Sequence, residues 1–185
     1  VSRLFVALLP PPEVLEEVAE SLGPVRPRWP GLRWIDPALW HVTLAFLGEV
    51  PDRVLPGLST RLTRAAARHA AVTLAFAGAG AFPSAGRGRV FWLGLEAEPP
   101  LTRLAQSLAA GAERAGAGEA DRKRFHPHLT LARSRDGDDL RPLVGSLDAF
   151  SGRRWTADAV HLVRSHLGPR VRYEPVEAYP LGSPD

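Results

Sequence analysis

Cysteine is absent from this 185-residue sequence, and lysine occurs once, as Lys123, beside 22 arginines. Without thiols there is no disulfide framework, no thiolate zinc site and no cysteine nucleophile. No apolar run approaches the roughly 18 residues of a membrane span. Val1-Ser2-Arg3-Leu4-Phe5 leads straight into strand-like sequence, unlike a signal peptide. The expectation is a soluble, unprocessed, cytoplasmic monomer with no membrane partner. Gly86-Arg87-Gly88-Arg89 lacks the lysine and spacing of a phosphate-binding P-loop, and neither Ser84 nor Ser165 sits in a nucleophile elbow. Low-complexity linkers and solenoid periods are missing too, so residues 1–185 read as a single domain.

What is present is an ordinary globular composition, 45% hydrophobic and 23% charged. A chain of this length buries roughly 70% of its unfolded surface and needs no structural metal. The formal charge is only +3, although the pI is about 10.1 because nearly all the bases are arginine. The guanidinium fork suits phosphate contacts, but the codon usage of a GC-rich genome gives the same bias. Composition alone leaves both readings open.

Strand-like sequence at Ser2 to Leu9 ends in Pro10-Pro11-Pro12, and helical periodicity follows from Glu13 to Leu22. A loop through Arg33-Trp34-Ile35 leads to a strand at Trp40 to Leu47, then a helix at Asp52 to Ala70. Strands are expected at Ala71 to Ala77 and Arg89 to Leu95, joined by a glycine-rich loop from Gly80 to Gly88. A helix from Pro100 to Ala115 stops at Gly116-Ala117-Gly118. A charged loop, Glu119 to Arg124, then precedes a strand at Pro127 to Ala132. Asp138 to Leu147 reads as a short helix, and strands at Ala159 to Ser165 and Tyr173 to Leu181 flank the turn Gly168-Pro169-Arg170. The short connections favour hairpins, so the class is α+β with mixed or antiparallel sheets.

One phrase occurs twice. His41-Val42-Thr43-Leu44-Ala45 is echoed by His128-Leu129-Thr130-Leu131-Ala132, each in strand-like sequence. Alternation puts His41 with Thr43 on one face, and His128 with Thr130 on another, leaving the aliphatic residues for the core. With six histidines and seven threonines in the chain, even one such triplet is uncommon by composition. Ala71-Val72-Thr73-Leu74-Ala75 repeats the text with alanine in place of histidine, so the information sits in the imidazoles. If two related lobes pack about a pseudo-twofold axis, the two faces meet across a cleft. In-line displacement at phosphorus needs a base beside the attacking oxygen and an acid beside the leaving one, and imidazoles fill both roles near neutral pH. The threonine hydroxyls would hold the non-bridging oxygens without a metal.

These motifs resemble the paired His-x-Thr-x motifs of the 2H phosphoesterase superfamily. More closely, the chain is similar to the RNA 2′,3′-cyclic phosphodiesterases, or 2′-5′ RNA ligases. Further familial segments occur in order, among them Arg3 to Leu8, Arg33-Trp34, Gly80-Ala81-Phe82-Pro83, Val90 to Gly94, Phe125-His126-Pro127-His128 through Arg133, and Val163 to Pro169 with Tyr173. The resemblance implies a bilobal fold, two pseudo-symmetric sheet lobes with outer helices around a central cleft and one motif per lobe. It also implies cofactor-free and metal-free opening of an RNA 2′,3′-cyclic phosphate end to a 2′-phosphate, and reverse 2′-5′ ligation. His41 matches the family's acid and His128 its base, with Thr43 and Thr130 as phosphate-holding hydroxyls. Arg133 matches a familial arginine, although alternation sends it to the face opposite His128 unless the strand bulges. Pro169-Arg170-Val171-Arg172 departs from the family's glycine-rich turn.

Phe5 is a candidate for stacking on a nucleobase, as are Phe125 and Trp34, though aromatics beside strands are more often core. His126 is a candidate substrate contact, since alternation lets it share the face of His128. A metal reading of His126, His128, His161 and His166 stays open beside it. His69, near a helix end, reads as a surface dipole partner, and Asp121 to Arg124 as either an RNA-backbone contact or a plain solvated loop. Two rival functions remain, a phosphoesterase for another cyclic or 2′-5′ linked nucleotide and a non-catalytic RNA-end binding module.

Overall fold

The computed structural model describes residues 1–97, 99–118 and 125–182. Its elements are β1 (Ser2–Leu8), α1 (Pro12–Leu22), β2 (Arg33–Trp34), β3 (Val42–Val50), α2 (Leu55–Ala67), β4 (Val72–Phe82) and β5 (Gly88–Ala97). There follow α3 (Pro99–Arg114), β6 (His128–Asp138), α4 (Arg141–Leu147), β7 (Trp155–Ala157), β8 (Ala159–His166) and β9 (Arg172–Pro180). The strands form one sheet in the order β7-β4-β5-β6-β3-β1-β8-β9, with β2 added to β6. All pairings between these strands are antiparallel. The sheet has two four-stranded halves that meet at β6 and β3, the two strands that carry the echoed phrase. They are joined there by the single pair Val42↔Leu129.

The helices form where apolar residues recur on one side. In α1, Val14, Val18 and Leu22 are four residues apart and buried, and Pro12 starts the helix where a missing N–H costs nothing. In α3, Leu101, Leu104, Ala105, Leu108 and Ala112 are buried. It ends as the glycines require: Gly116 has φ +82°, and its N–H reaches the Glu113 carbonyl at 3.0 Å. The Ala117 N–H returns to the Ala112 carbonyl at 2.9 Å, which completes a Schellman closure.

These faces pack with Leu4, Val6, Val42, Leu44, Leu129 and Leu131 into one large core. Each such side chain, fully buried, contributes roughly 1.5–3 kcal/mol of transfer free energy. The alternate residues of β1 and β8 build a second, smaller cluster from Phe5, Ala7 and Val163, with Tyr173 packed on it. The sheet therefore has a helix-covered face and an opposite face that carries the cleft described below.

Several elements differ from the sequence expectation. β4 continues to Phe82 through residues read as loop. The glycines there serve a kink, with Gly78 at φ +71°, and a close approach, because a Cβ on Gly80 would lie 2.4 Å from the Trp92 ring. β6 runs on to Asp138, so the helix expected from 138 is confined to Arg141–Leu147. The Ser134 hydroxyl donates to Asp138 at 2.5 Å and accepts the Gly137 N–H at 3.1 Å, which closes the strand end first. α2 begins at Leu55 after a 3-10 turn at Asp52–Val54. β2, in the stretch expected as loop, and β7 have no counterpart in the sequence expectation; each forms by pairing with a strand distant in sequence, β2 with β6 and β7 with β4. The Asp121 to Arg124 loop lies outside the described residues. Among those described, no helix is long and apolar enough to cross a membrane.

Candidate active site

His41 immediately precedes β3 and His128 opens β6. One step either side of the Val42↔Leu129 pair stand His41 with Thr130, and Thr43 with His128. All four line one cleft of about 670 Å³. The echo in the text is thus an echo in space, with the strand seam between its copies.

Each imidazole is held in the same way. His41 Nδ1 lies 2.8 Å from the Leu39 carbonyl oxygen, and His128 Nδ1 lies 2.6 Å from that of His126. A carbonyl oxygen only accepts, so Nδ1 carries the proton in both neutral rings and Nε2 does not. His41 Nε2 is 2.8 Å from Thr43 Oγ1. Burial lowers the pKa of His41 below its ordinary 6.5; the Leu39 carbonyl opposes this and the nearby His128 adds to it. Burial likewise lowers that of His128, against the His126 carbonyl and with the help of His126 and Arg133. The repulsion that His128 exerts on His41 is what a shared anion would relieve.

The walls differ. The His41 ring lies 4.7 Å from Phe5 and 5.3 Å, edge-on, from Tyr173. The His128 ring lies 5.0 Å from Phe82 and 6.2 Å from Trp92.

Arg133 lines the cleft, and the structure supplies the reason. In the β5–β6 register Thr130 faces Trp92 and Ala132 faces Phe91, so β6 carries a bulge that sends both Leu131 and Ala132 into the core. Arg133 is thereby turned to the side of Thr130. β3 does the same against β1: Thr43 pairs with Ala7 and Ala45 with Val6, Leu44 and Ala45 are both buried, and Phe46 comes out on the cleft.

Phe5 lines the cleft but is only 4% exposed, a wall for His41. His126 is not among the cleft-lining residues; its ring packs 4.8 Å from Trp92 and 5.3 Å from Phe82. Residues 125–127 precede β6, so strand alternation does not carry back to His126. His166 bonds Glu174 at 2.6 Å, and among the described residues no three His, Asp or Glu side chains cluster as metal ligands. His69 bonds Ser107 at 2.7 Å, tying the end of α2 to α3. Phe46, Arg3, Arg33 and Tyr173 also line the cleft. Of these, Phe46 had a signal in the text, since it follows His41 by the same five positions that separate Arg133 from His128.

The family model described as the 2′-5′ RNA ligase superfamily matches residues 10–169. The chain belongs to the 2′-5′ RNA ligase superfamily. Among its relatives, a Thermus thermophilus protein named RNA 2′,3′-cyclic phosphodiesterase is 38% identical over 173 residues, 91% of this chain and 84% of that one. An Escherichia coli protein of the same name is 33% identical over 181 residues, 97% and 96% of the two. A Geobacillus stearothermophilus relative of that name matches all of this chain, which spans 59% of its length. Superfamily crystal structures agree in fold. One from Thermus thermophilus superposes with a TM-score of 0.81 at 32% identity, covering 98% of both chains. Apo Escherichia coli LigT gives 0.79 at 29%, again with 98% of both.

Proposed function

We propose that this chain hydrolyses RNA 2′,3′-cyclic phosphate ends to 2′-phosphates, by acid–base catalysis between His41 and His128. The observation that carries the reading is the matched fixing of the two rings. Each Nδ1–H is committed to a main-chain carbonyl, and both rings line one cleft with Thr43 and Thr130. Relatives at 30–38% identity carry the name of this activity, and a LigT structure 30% identical to the chain was solved with 3′-AMP. Both motifs come from one chain, one from each half of the sheet, so the site needs no second copy.

His128 Nε2 takes a proton from water as the water oxygen bonds to phosphorus. The P–O3′ bond breaks on the opposite side, and His41 Nε2–H protonates the departing O3′. The products are a 2′-phosphate and a 3′-hydroxyl; the rings exchange protonation states and reset through solvent. Thr43, Thr130 and Arg133 hold the non-bridging oxygens as charge develops. A ribose 5′-hydroxyl in the place of water would form a 2′-5′ linkage by the same steps.

The test is product analysis with 2′,3′-cyclic AMP and with a cyclic-phosphate oligoribonucleotide, both in the presence of a chelator. The expected product is the 2′-monophosphate. A 3′-monophosphate, or activity abolished by the chelator, overturns the mechanism. RNA affinity with no turnover would mark a binding module instead.

A further inference from the structure

The basic residues of this chain are unevenly spread. Residues 55–70, which hold α2 and its end, and residues 99–114, which form α3, carry five arginines against one carboxylate, Glu113. That excess of four is larger than the +3 of the whole chain, so the remainder taken together is slightly acidic. A codon bias toward arginine explains why these bases are not lysine. It does not clear carboxylates from two helices.

The five arginines also share a place, and all are exposed. At about 100° per residue, Arg61, Arg64 and Arg68 fall within about 60° of one another, and Arg103 and Arg114 within about 20°. The two helices lie antiparallel and in contact: a Cβ on Gly111 would lie 3.6 Å from that of Arg61, and His69 Nε2 is 2.7 Å from Ser107 Oγ. Arg103 stands one turn before Ser107 and Arg114 one turn after Gly111, so both are on the α2 side of α3. Burial first, and then the charges of Arg68 and Arg103, lower the pKa of His69, in keeping with two guanidiniums about one imidazole. Glu113 points about 90° away from Arg103 and Arg114. Ser59, which holds Glu177 at 2.6 Å, is on the other side of α2 from the arginines. Among the described residues none of the five forms an ion pair.

The helix pair thus presents a groove edged by guanidiniums, on the side of the sheet away from the cleft, and none of these arginines lines that cleft. Among the described residues neither helix exposes a large apolar side chain that would anchor a lipid surface. Guanidinium forks bind phosphate oxygens bidentately. Their spread, along about 10 Å of α2 and about 16 Å of α3, matches a row of phosphates better than a single one.

We infer that the α2–α3 groove is a second RNA contact, which takes the phosphate backbone without regard to sequence. The choice of RNA among polyanions rests on the proposed phosphodiesterase reading. The groove adds to that reading a hold on polymeric RNA that a cyclic mononucleotide does not use.

The experiment measures binding of a labelled RNA duplex with hydroxyl ends over a salt series, with saturating 2′-AMP present to fill the cleft. Wild-type affinity should fall by about 10²–10³-fold between about 50 and 200 mM salt, as for about four or five neutralised phosphates. Arg61→Gln, Arg64→Gln and Arg68→Gln combined should weaken binding by about 10-fold or more and flatten the log–log salt slope by about 3. Lysine at the same three positions should keep the slope. Turnover of 2′,3′-cyclic AMP should be unchanged in both variants, which also shows that they fold. Arg153→Gln with Arg154→Gln, an exposed pair outside these helices, should leave the slope nearly as it is. No RNA binding with the cleft filled, an unchanged slope in the glutamine variant, or an equal loss per charge in the Arg153 and Arg154 control overturns the contact. So does tighter binding to anionic phospholipid vesicles than to RNA. A wild type that binds this RNA through the three arginines but turns over no cyclic nucleotide overturns the phosphodiesterase reading alone.

Discussion

His41 and His128 share a five-residue phrase, a carbonyl-bound Nδ1 and a bulge three residues on, yet almost nothing in their walls is shared. Phe5 and Tyr173 flank the first ring, whereas Phe82, Trp92 and His126 surround the second. Phe46 follows one and Arg133 the other. Two kinds of information are thereby separated. What the two copies share is what the proposed task requires, a proton-exchanging nitrogen on each side of one phosphorus. Where they diverge, the two sides of the cleft differ in chemistry, phenyl against guanidinium.

Removing one ring at a time challenges the symmetry most strongly. His41→Ala and His128→Ala should each lower kcat by about 10²–10⁴-fold, the usual range for acid or base catalysis, with the urea midpoint little changed. A variant that kept full activity would show that its half of the pair does no chemistry. Next in size, Thr43→Val and Thr130→Val should each cost about 10²-fold in kcat, as for loss of one donor to a developing oxyanion. Equal losses fit a phosphate held from both halves, and a large disparity would mean that one hydroxyl holds it alone.

Gly80→Ala probes one wall without the other. A methyl group there meets the Trp92 ring, and overpacking of this kind costs roughly 1–3 kcal/mol. Chemical denaturation should register that loss, and the NMR signals of the His128 ring should move while those of His41 stay. The smallest effect is on pH. The base must be neutral and the acid protonated, so kcat/KM is bell-shaped and centred on the mean of the two pKa values. Burial lowers both from 6.5, which places the maximum on the acid side of pH 6.5. A maximum above pH 7 would mean that burial does not govern these rings.

Much of the cleft was legible because strand alternation is a local rule. His41, Thr43, His128 and Thr130 could be assigned to faces from two short phrases, and all four line the cleft. Arg133 was harder, since alternation held strictly points it away; only the bulge at Leu131 and Ala132 turns it back, and nothing in Leu-Ala announces a bulge. His126 is the reverse case: alternation reads it onto the face of His128, yet residues 125–127 precede β6 and its ring packs on Trp92 and Phe82. Phe82 and Trp92 went unread as the packing neighbours of His128 because they join it through sheet pairings distant in sequence. The fold class was readable from hairpin-length connections. The glycines of β4 misled, since close approach to a tryptophan and a turn look alike in a sequence.

Whether two imidazoles share one phosphate can be read from an NMR titration of the wild type with 2′-AMP, following the ring protons of His41 and His128 at pH 6. Both sets of resonances should shift with a single Kd, and both pKa values should rise as the anion favours the charged form of each ring. If only one ring responds, or the two follow different Kd values, the rings do not face a common phosphorus.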